Sequence, residues 1–498
     1  MLRYTGHPLV DVGAATIAAF VRKRDLASIT EFDLDKVADY IAKQYVVDPL
    51  KSFLNVAFPN SGFTQPAFEK TPKKRAEYAK RVLRGYRAGT PKLDETCVFT
   101  GEAAIAVAFS DKLPAGRVFR QHVPMLTGEG VINFHPWGDA GLPVSGTALL
   151  CIQAFPLGCA KCGGKLLAVH SDNFDLTERF AAEFLRQNQS ALLLAQQQGS
   201  KKMPEAGASA KTFLIETLLS IEMRRREEAQ EQRPCSVTAY HLTNSGQSNA
   251  LDARNPPLEM YHLPLELTDF LSRITSPDYK TEWSAIAQRA WRLAQPAKVG
   301  KKAKEAEQKD TRPRRNMLYE DLFDLPANAR AFVRHYFLRI PKRKTYEDDP
   351  RRSYSLKDEA ELVSWKLTEL FLRGVMNMNQ DRIKEIKELG DRLAAYVNGE
   401  NDRRFFATFY AEQRNYNVFR NALIKANIAH IKRGNPPLIT LDPYITVFEE
   451  GDEVARSDWR LARDLVLIRV VEQLYQLGWI GKNPDAIPEV PDEETTAA

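Results

Sequence analysis

Segments that would assign a catalytic activity are missing from this chain. It has no Gly-x-x-x-x-Gly-Lys-Ser/Thr segment for nucleotide phosphates, no His-Glu-x-x-His segment for zinc hydrolysis and no Gly-x-Ser-x-Gly segment for a nucleophilic serine. The eight histidines are scattered singly, and no acidic pair stands in a setting typical of metal-dependent hydrolysis. The sequence therefore predicts a protein that is not an enzyme.

Long apolar runs and cysteines are also scarce. No segment reaches the roughly 20 apolar residues that span a bilayer, and the N-terminal residues lack the pattern of a secretory signal. Five cysteines among 498 residues are too few, and odd in number, for a disulfide framework. These absences predict a cytoplasmic protein in a reducing compartment, without a membrane partner.

The apolar pattern changes along the chain and indicates more than one domain. Up to about residue 295, helical spacing alternates with glycine-rich turns and short apolar runs that predict strands, at 104–109, 147–155, 165–170 and 236–243. Residues 296–315 contain eight basic and three acidic residues and little that is large and apolar, which is typical of a linker. We predict an α+β protein with a mostly helical, mixed body at 1–295, a basic linker at 296–316 and an all-α bundle at 317–498.

Within the predicted bundle, helix signals are strong. Ser355-Leu-Lys-Asp358 resembles a capping box that opens a helix, and further helices are expected at 380–397, at 404–433 with a break near Asn415, and at 457–477. The short connections between them favour antiparallel packing.

Two cysteines form the close pair Cys159-Ala-Lys-Cys162-Gly-Gly. Two thiolates on one tight turn supply half of a tetrahedral zinc site. Cys97 is the candidate third ligand, and His122, His135 or His170 is the candidate fourth, so the possible cofactor is a structural zinc ion. The alternatives are a turn that has lost its metal and small buried thiols.

A basic segment runs from Glu69 to Lys92, with nine Lys or Arg against two Glu. Such cations neutralise phosphates and release counterions, and the interleaved Tyr78 and Tyr86 either stack on bases or pack beneath the cations. The alternative is a solvated helix face. The residues predicted to contact nucleic acid here are Lys70, Lys73, Lys74, Arg75, Lys80, Arg81, Arg84 and Arg87.

The following segment, residues 112–143, places cations, amides and aromatic residues on an irregular backbone. Loops of this kind reach into grooves and bind base edges. The alternative is an ordinary surface loop with Phe134 and Trp137 as packing anchors. The candidate contacts are Lys112, Arg117, Arg120, Gln121 and Asn133.

Three short motifs carry a resemblance to a known family. The segment 59–64 (Pro-Asn-Ser-Gly-Phe-Thr), the Thr-Gly pair after Cys97 and the Cys159-x-x-Cys162-Gly turn resemble the large subunit of type I CRISPR Cascade complexes, in particular the I-B class with two Cys-x-x-Cys elements. The sequence departs from this pattern at Thr100, which stands where the first element has its second cysteine. The resemblance covers residues 1–290 by motif order and the helical tail by architecture.

The resemblance implies a role in antiviral defence. Such a subunit contacts the backbone subunits and the protein that holds the 5′ handle of the guide RNA. It inspects the protospacer-adjacent motif of double-stranded target DNA, supports R-loop formation and recruits a helicase-nuclease. The tail resembles the small subunit, which is present in several copies, contacts DNA strands and is in some systems made from an internal start. A separate product is expected here, from Met317 or else Met376 or Met378. The alternatives are a zinc-containing RNA- or DNA-binding factor outside CRISPR with a protein-docking tail, and a metal-dependent nuclease.

Overall fold

The computed structural model describes residues 2–126, 128–130, 140–228, 233–244, 255–293, 313–450 and 454–488. The chain forms two compact units, Met1–Thr268 and Asp269–Ala498. Helices dominate both units and the strands lie in the first, which confirms the predicted α+β class. Among the described helices, none combines the length and the apolar character that crossing a membrane requires.

The division between the units precedes the basic segment that was expected to be the linker. Residues 296–312 of that segment lie outside the described residues, but the residues on both sides of it belong to the second unit. Trp291 pairs with Asn316 in an isolated antiparallel bridge, and the Met317 amide donates to the Ala290 carbonyl at 2.8 Å. The predicted boundary is thus displaced: residues 269–293 fold with the C-terminal helices, where Trp283 stacks on Tyr319.

The first unit consists of helices around a small antiparallel sheet. Its sheet has the order β5-β6-β7-β8, and two separate hairpins pair β1 with β2 and β3 with β4. The helices are α1 (Pro8–Val21), α2 (Glu31–Gln44), α3 (Leu50–Leu54), α4 (Pro66–Glu69), α5 (Pro72–Leu83), α6 (Gly146–Ala154), α7 (Phe174–Gln197) and α8 (Ala210–Glu227), followed by α9 (Leu265–Arg273), which crosses the division. The strands are β1 (Lys92–Thr96), β2 (Ala103–Ile105), β3 (Arg117–Val118), β4 (Leu142–Pro143), β5 (Ala160–Cys162), β6 (Lys165–Ser171), β7 (Val237–Leu242) and β8 (Leu258–Leu263).

Helix α1 lies at the centre of this unit. Its residues from Val10 to Ala18 are all buried, and it packs against α6, α7 and β6. The helix approaches α6 very closely at Gly13, because a Cβ atom there would lie 1.9 Å from the Cys151 carbonyl oxygen. A helix buried on all sides explains why its sequence is apolar almost throughout.

Helix α6 corrects one sequence expectation. Residues 147–155 were expected to form a strand, but Gly146–Ala154 is a helix whose N-terminus is capped by the Ser145 hydroxyl, which accepts from the Ala148 amide at 3.2 Å. Nearly every residue of α6 is buried. Burial on all sides removes the alternation of polar and apolar residues that would distinguish helix from strand.

The second unit is helical, as predicted for the tail. Helix α14 packs against α17 and α18, and Asn415 separates α15 from α16 by capping α16 through the Val418 amide at 3.2 Å. The Asp358 amide donates to the Ser355 hydroxyl at 3.2 Å, which is half of the expected capping box, whereas the Ser355 amide donates to Glu359 Oε2 at 3.4 Å. The α-helix begins later, at Trp365, with Ser364 as its cap. The helices are α10 (Pro277–Gln288), α11 (Met317–Asp321), α12 (Ala329–Phe332), α13 (Trp365–Gly374), α14 (Gln380–Glu400), α15 (Arg403–Ala411), α16 (Tyr416–Lys432), α17 (Leu441–Phe448), α18 (Trp459–Gln476) and α19 (Trp479–Lys482).

Candidate nucleic-acid interface

The predicted basic segment forms α5, a helix with one buried face. Pro72 occupies the first turn, where its missing N–H is not needed, and Tyr78, Val82 and Leu83 are buried. The Tyr78 ring packs edge-on against Phe63 at 5.2 Å between ring centroids. Tyr78 therefore packs beneath the cations and is not available to stack on bases.

The opposite face of α5 presents cations to solvent. Four lysines are exposed and form no ion pair with any carboxylate in the described part of the chain: Lys70, just before the helix, and Lys73, Lys74 and Lys80. The Arg81 side chain is also exposed, and its Nη1 donates to the Ala108 carbonyl at 3.3 Å. These five residues, which we call the α5 cation row, are available to a polyanion.

Arg75 adds a second indication of an anionic partner. Its Nε and Nη2 atoms are buried, yet neither has an acceptor among the described residues. Glu69, which feels the charge of Arg75, is bound by Lys51 instead, at 2.9 Å between Nζ and Oε2. Buried guanidinium donors without an acceptor are unfavourable, so a bound anion at this position would be stabilising.

The first turn of α5 is also electrostatically unusual. It contains Lys73, Lys74 and Arg75 and no acidic residue. The positive end of the helix dipole repels these cations, at a cost of about 0.3–1 kcal/mol each at low ionic strength. A local conflict of this kind is typical of a functional site, because an anion at the helix start would relieve it.

Two predicted contacts at the end of α5 have internal partners. The Arg84 guanidinium binds the carboxylates of both Asp35 and Asp39, and Arg87 Nη2 binds Asp35 Oδ1 at 2.9 Å. Tyr86 also donates to Asp35. These contacts fasten the end of α5 to α2. The charges of Arg84 and Arg87 are therefore already paired with carboxylates of the chain.

The loop after α5 is only partly available for binding. Arg120 is exposed, whereas Lys112 Nζ binds Glu129 Oε1 at 3.1 Å. Arg117 was expected to contact nucleic acid, but its side chain is buried and binds Glu95. Its charge is therefore paired with that of Glu95 on β1. Asn133 lies outside the described residues.

The structure brings α5 and this loop together through Tyr78 and His122. The Tyr78 hydroxyl donates to the Gln121 carbonyl at 3.4 Å, and the Tyr78 and His122 rings stack at 5.9 Å. Arg81 contacts the preceding loop at the Ala108 carbonyl. Gln121 is half-buried and Arg120 is exposed.

His122 supports this contact and is not a metal ligand. It is 1% exposed, and its ring lies 5.0 Å from that of Phe109 and 4.8 Å from that of Phe119. Burial, together with the charge of Arg81, lowers the pKa of His122 to about 3. The imidazole is therefore neutral at neutral pH. His170, another candidate ligand, binds Asp11 through Nε2 at 3.0 Å, and His135 lies outside the described residues.

The structure does not gather Cys97, Cys159 and Cys162, the residues of the predicted zinc site, into a metal-binding group within the part of the chain that it describes. No group of three or more His, Cys, Asp or Glu residues able to hold a metal ion occurs there. All three cysteines are buried free thiols. Their burial matches the alternative of small buried thiols.

A β-hairpin accounts for the Cys-x-x-Cys-Gly-Gly pattern. Cys162 pairs with Lys165 at the ends of β5 and β6, and the two residues between them, Gly163 and Gly164, have φ of +54° and +79°. A two-residue hairpin turn of this type needs positive φ at both positions, which glycine adopts without strain. The glycines therefore serve the turn, and the Cys159 thiol donates to the Phe155 carbonyl at 3.1 Å.

Comparison of the chain with protein-family profiles, with curated protein sequences and with solved structures yields no match.

Proposed function

We propose that this chain binds nucleic-acid backbones through α5 and acts as a non-enzymatic subunit of a ribonucleoprotein. The α5 cation row carries the proposal: five exposed cations lie on α5 or just before it and form no ion pairs with carboxylates in the described residues. The unpaired donors of Arg75 and the cations in the first helical turn support it, because both features favour an anion.

The finer role that we propose is the large subunit of a type I-B-like CRISPR Cascade complex. The support is the resemblance of the motifs around residues 59–64, 97–101 and 159–163. In this role the chain recognises the protospacer-adjacent motif, supports R-loop formation and recruits the helicase-nuclease, while guide–target pairing supplies sequence specificity. Arg120 and Gln121, on the loop that Tyr78 of α5 contacts, are the proposed groove contacts.

The proposal can be tested on the complex that forms around this chain in its own cells. A C-terminal affinity tag would recover the chain with its partners, and sequencing of the bound RNA should return repeat-derived guide RNAs. Messenger or ribosomal RNA alone would leave nucleic-acid binding in place and remove the Cascade assignment. Absence of any nucleic acid from the purified complex would contradict both.

The same preparation tests the proposed separate C-terminal product. Met317 begins α11, but a product starting there would lack residues 269–293, which contribute the Trp283 ring that stacks on Tyr319 and the Ala290 carbonyl that accepts from the Met317 amide at 2.8 Å. Starts at Met376 or Met378 would also remove α13. Intact mass spectrometry should therefore detect a product from Met317 if any is made, and finding none from these methionines would refute the idea.

The proposed lack of catalysis also has a direct test. Labelled DNA incubated with the pure protein and a divalent metal should stay intact. Reproducible cleavage that disappears when one acidic residue is replaced would favour the nuclease alternative.

A further inference from the structure

The second unit presents a short basic loop with an exposed aromatic residue. Residues 341–347 (Pro-Lys-Arg-Lys-Thr-Tyr-Glu), which we call the Tyr346 loop, contain three consecutive cations and one acidic residue. Tyr346 is 85% exposed, the largest exposed fraction among the described large hydrophobic residues. An aromatic ring so far from any packing partner is unusual for a residue that serves only the fold.

The Tyr346 loop begins and ends at buried anchors. Before it, Arg339 is fully buried, binds Glu359 Oε2 through Nε at 2.9 Å and stacks over the Tyr354 ring at 3.5 Å. After it, Arg351 Nη2 binds Asp349 Oδ2 at 2.6 Å. These anchors fix both ends of the loop.

Two backbone hydrogen bonds close the base of the Tyr346 loop. The Lys342 amide donates to the Arg351 carbonyl at 2.9 Å, and the Asp349 amide donates to the Tyr346 carbonyl at 3.0 Å. These bonds hold the backbone that carries Tyr346 in a defined turn. A backbone that is already ordered loses little conformational entropy when a ligand stacks on the ring.

Two of the three cations of the Tyr346 loop, its lysines, are not neutralised by a carboxylate among the described residues. Lys342 and Lys344 form no ion pair with a carboxylate in the described residues, and both aspartates that follow the loop are buried and bound by arginines. Arg343 lies close enough to Tyr410 to act on the pKa of its phenol, which burial, the larger effect, raises to about 12.

Tyr410 also borders a cluster of arginines around one buried carboxylate. Arg334 Nη1 lies 3.1 Å from Asp464 Oδ1, Arg330 Nε lies 3.3 Å from Asp464 Oδ2, and Arg463 also binds Asp464. Three guanidinium groups therefore share one carboxylate, and that carboxylate, of Asp464, is fully buried. The cluster extends the positive field of the Tyr346 loop toward Arg330, whose side chain is about one-third exposed.

We propose that the Tyr346 loop is a binding site for single-stranded nucleic acid, in which an unpaired base stacks on Tyr346 and its flanking phosphates contact Lys342, Arg343 and Lys344. Stacking on an aromatic ring needs a free base face, which a strand offers only when it is unpaired. The site prefers single strands to duplex for this reason. It lies in the second unit and does not depend on whether α5 binds anything.

The test uses the full-length chain with Lys73, Lys74, Lys80 and Arg81 replaced by glutamine, so that α5 does not mask the second site. A fluorescein-labelled oligothymidine of about twelve nucleotides, and a duplex of equal length, serve as probes. Tyr346→Ala should weaken oligothymidine binding about tenfold or more, consistent with the loss of one base–aromatic stack. Tyr346→Phe keeps the ring and should bind within about twofold of its parent.

Two controls make the result specific. Tyr475→Ala removes an exposed tyrosine on α18, outside the Tyr346 loop, and should leave binding unchanged. Duplex binding should change less than twofold in Tyr346→Ala, because a paired base offers no free face. Equal affinity of Tyr346→Ala and its parent for oligothymidine, or an equal loss for duplex and single strand, would overturn the proposal.

Crosslinking locates the contact independently of affinity. A bromouracil-containing oligonucleotide irradiated with the same protein should crosslink to the peptide that contains Tyr346. Crosslinks confined to other peptides would contradict the proposed site, and would do so whether or not α5 binds nucleic acid.

Discussion

Replacing His122 by phenylalanine should remove a pH-dependent part of the stability beneath α5. The His122 ring is buried among aromatic residues and its pKa is lowered to about 3 by burial and by the charge of Arg81. An unfolded histidine has a pKa near 6.5. Phenylalanine keeps the shape and the contact with Tyr78 but cannot bind a proton.

The magnitude follows from the difference between the two pKa values. Between about pH 6.5 and 3 the unfolded chain binds a proton at His122 that the folded chain does not, so the free energy of unfolding falls as the pH falls. Above about pH 6.5 the contribution is fully present. One pKa unit is worth about 1.4 kcal/mol, so acidification to about pH 5 removes about 2 kcal/mol through this residue.

Hydrogen exchange of peptides from α5 and α6, followed as a function of urea, measures the local free energy of unfolding. The rates are corrected for the intrinsic pH dependence of exchange. The native sequence should lose about 2 kcal/mol more than His122→Phe when the pH is lowered from about 7.5 to about 5. The comparison cancels the other titrating groups. An equal loss in both proteins, or a His122 resonance that titrates near pH 6.5, would refute the reasoning.

Further predictions concern the hairpin and the thiols. Gly164→Ala should lower the free energy of unfolding of the first unit by about 1–2 kcal/mol in urea titrations, because the turn holds this residue at φ +79°; Gly207→Ala, at an unhindered position without positive φ, should be neutral. Burial raises the pKa of Cys159 and raises that of Cys162 to about 12, so both thiols should react with Ellman's reagent only after unfolding, at neutral pH. Elemental analysis should find less than one zinc per chain, and stoichiometric zinc lost on Cys162→Ser would contradict the hairpin interpretation.

The sequence predicted the helices of the second unit well, because each has a local signal. The break near Asn415 is an example: the side chain caps α16, and the same residue type is unfavourable inside a helix. The capping-box pattern at Ser355 was a true local contact, yet the α-helix starts at Trp365. A cap fixes a turn but does not by itself continue into a helix, since most helix stability comes from packing.

The errors in the first unit have a common origin in burial and pairing. The residues of α6 are nearly all buried, and uniform burial leaves no periodicity from which to choose helix or strand. The Cys159–Cys162 turn has the residues of a zinc knuckle, but its glycines equally fit a two-residue hairpin, and only the pairing of β5 with β6 distinguishes them.

The position of the candidate interface could be predicted from the sequence, but not which of its residues are available to bind. The excess of cations between Glu69 and Lys92 predicted a binding surface at α5. The pairing of Arg84 depends on Asp35 of α2, and that of the buried Arg117 depends on Glu95 of β1, and neither partner is adjacent in sequence. The Tyr346 loop was missed, although Lys-Arg-Lys followed closely by tyrosine is visible in the sequence. Its exposure, which makes it a candidate, is a property of the fold alone.

The salt dependence of DNA binding tests the central claim most directly. Replacing Lys73, Lys74, Lys80 and Arg81 by glutamine should weaken binding to a short duplex and reduce the slope of log affinity against log salt by about three to four, since each phosphate contact contributes about 0.9. A matched variant removes four exposed lysines elsewhere, with the same change in net charge: Lys201, Lys202, Lys280 and Lys357. It should keep the slope of the native chain. A slope that is unchanged in the α5 variant, or that falls equally in both variants, would contradict binding through α5.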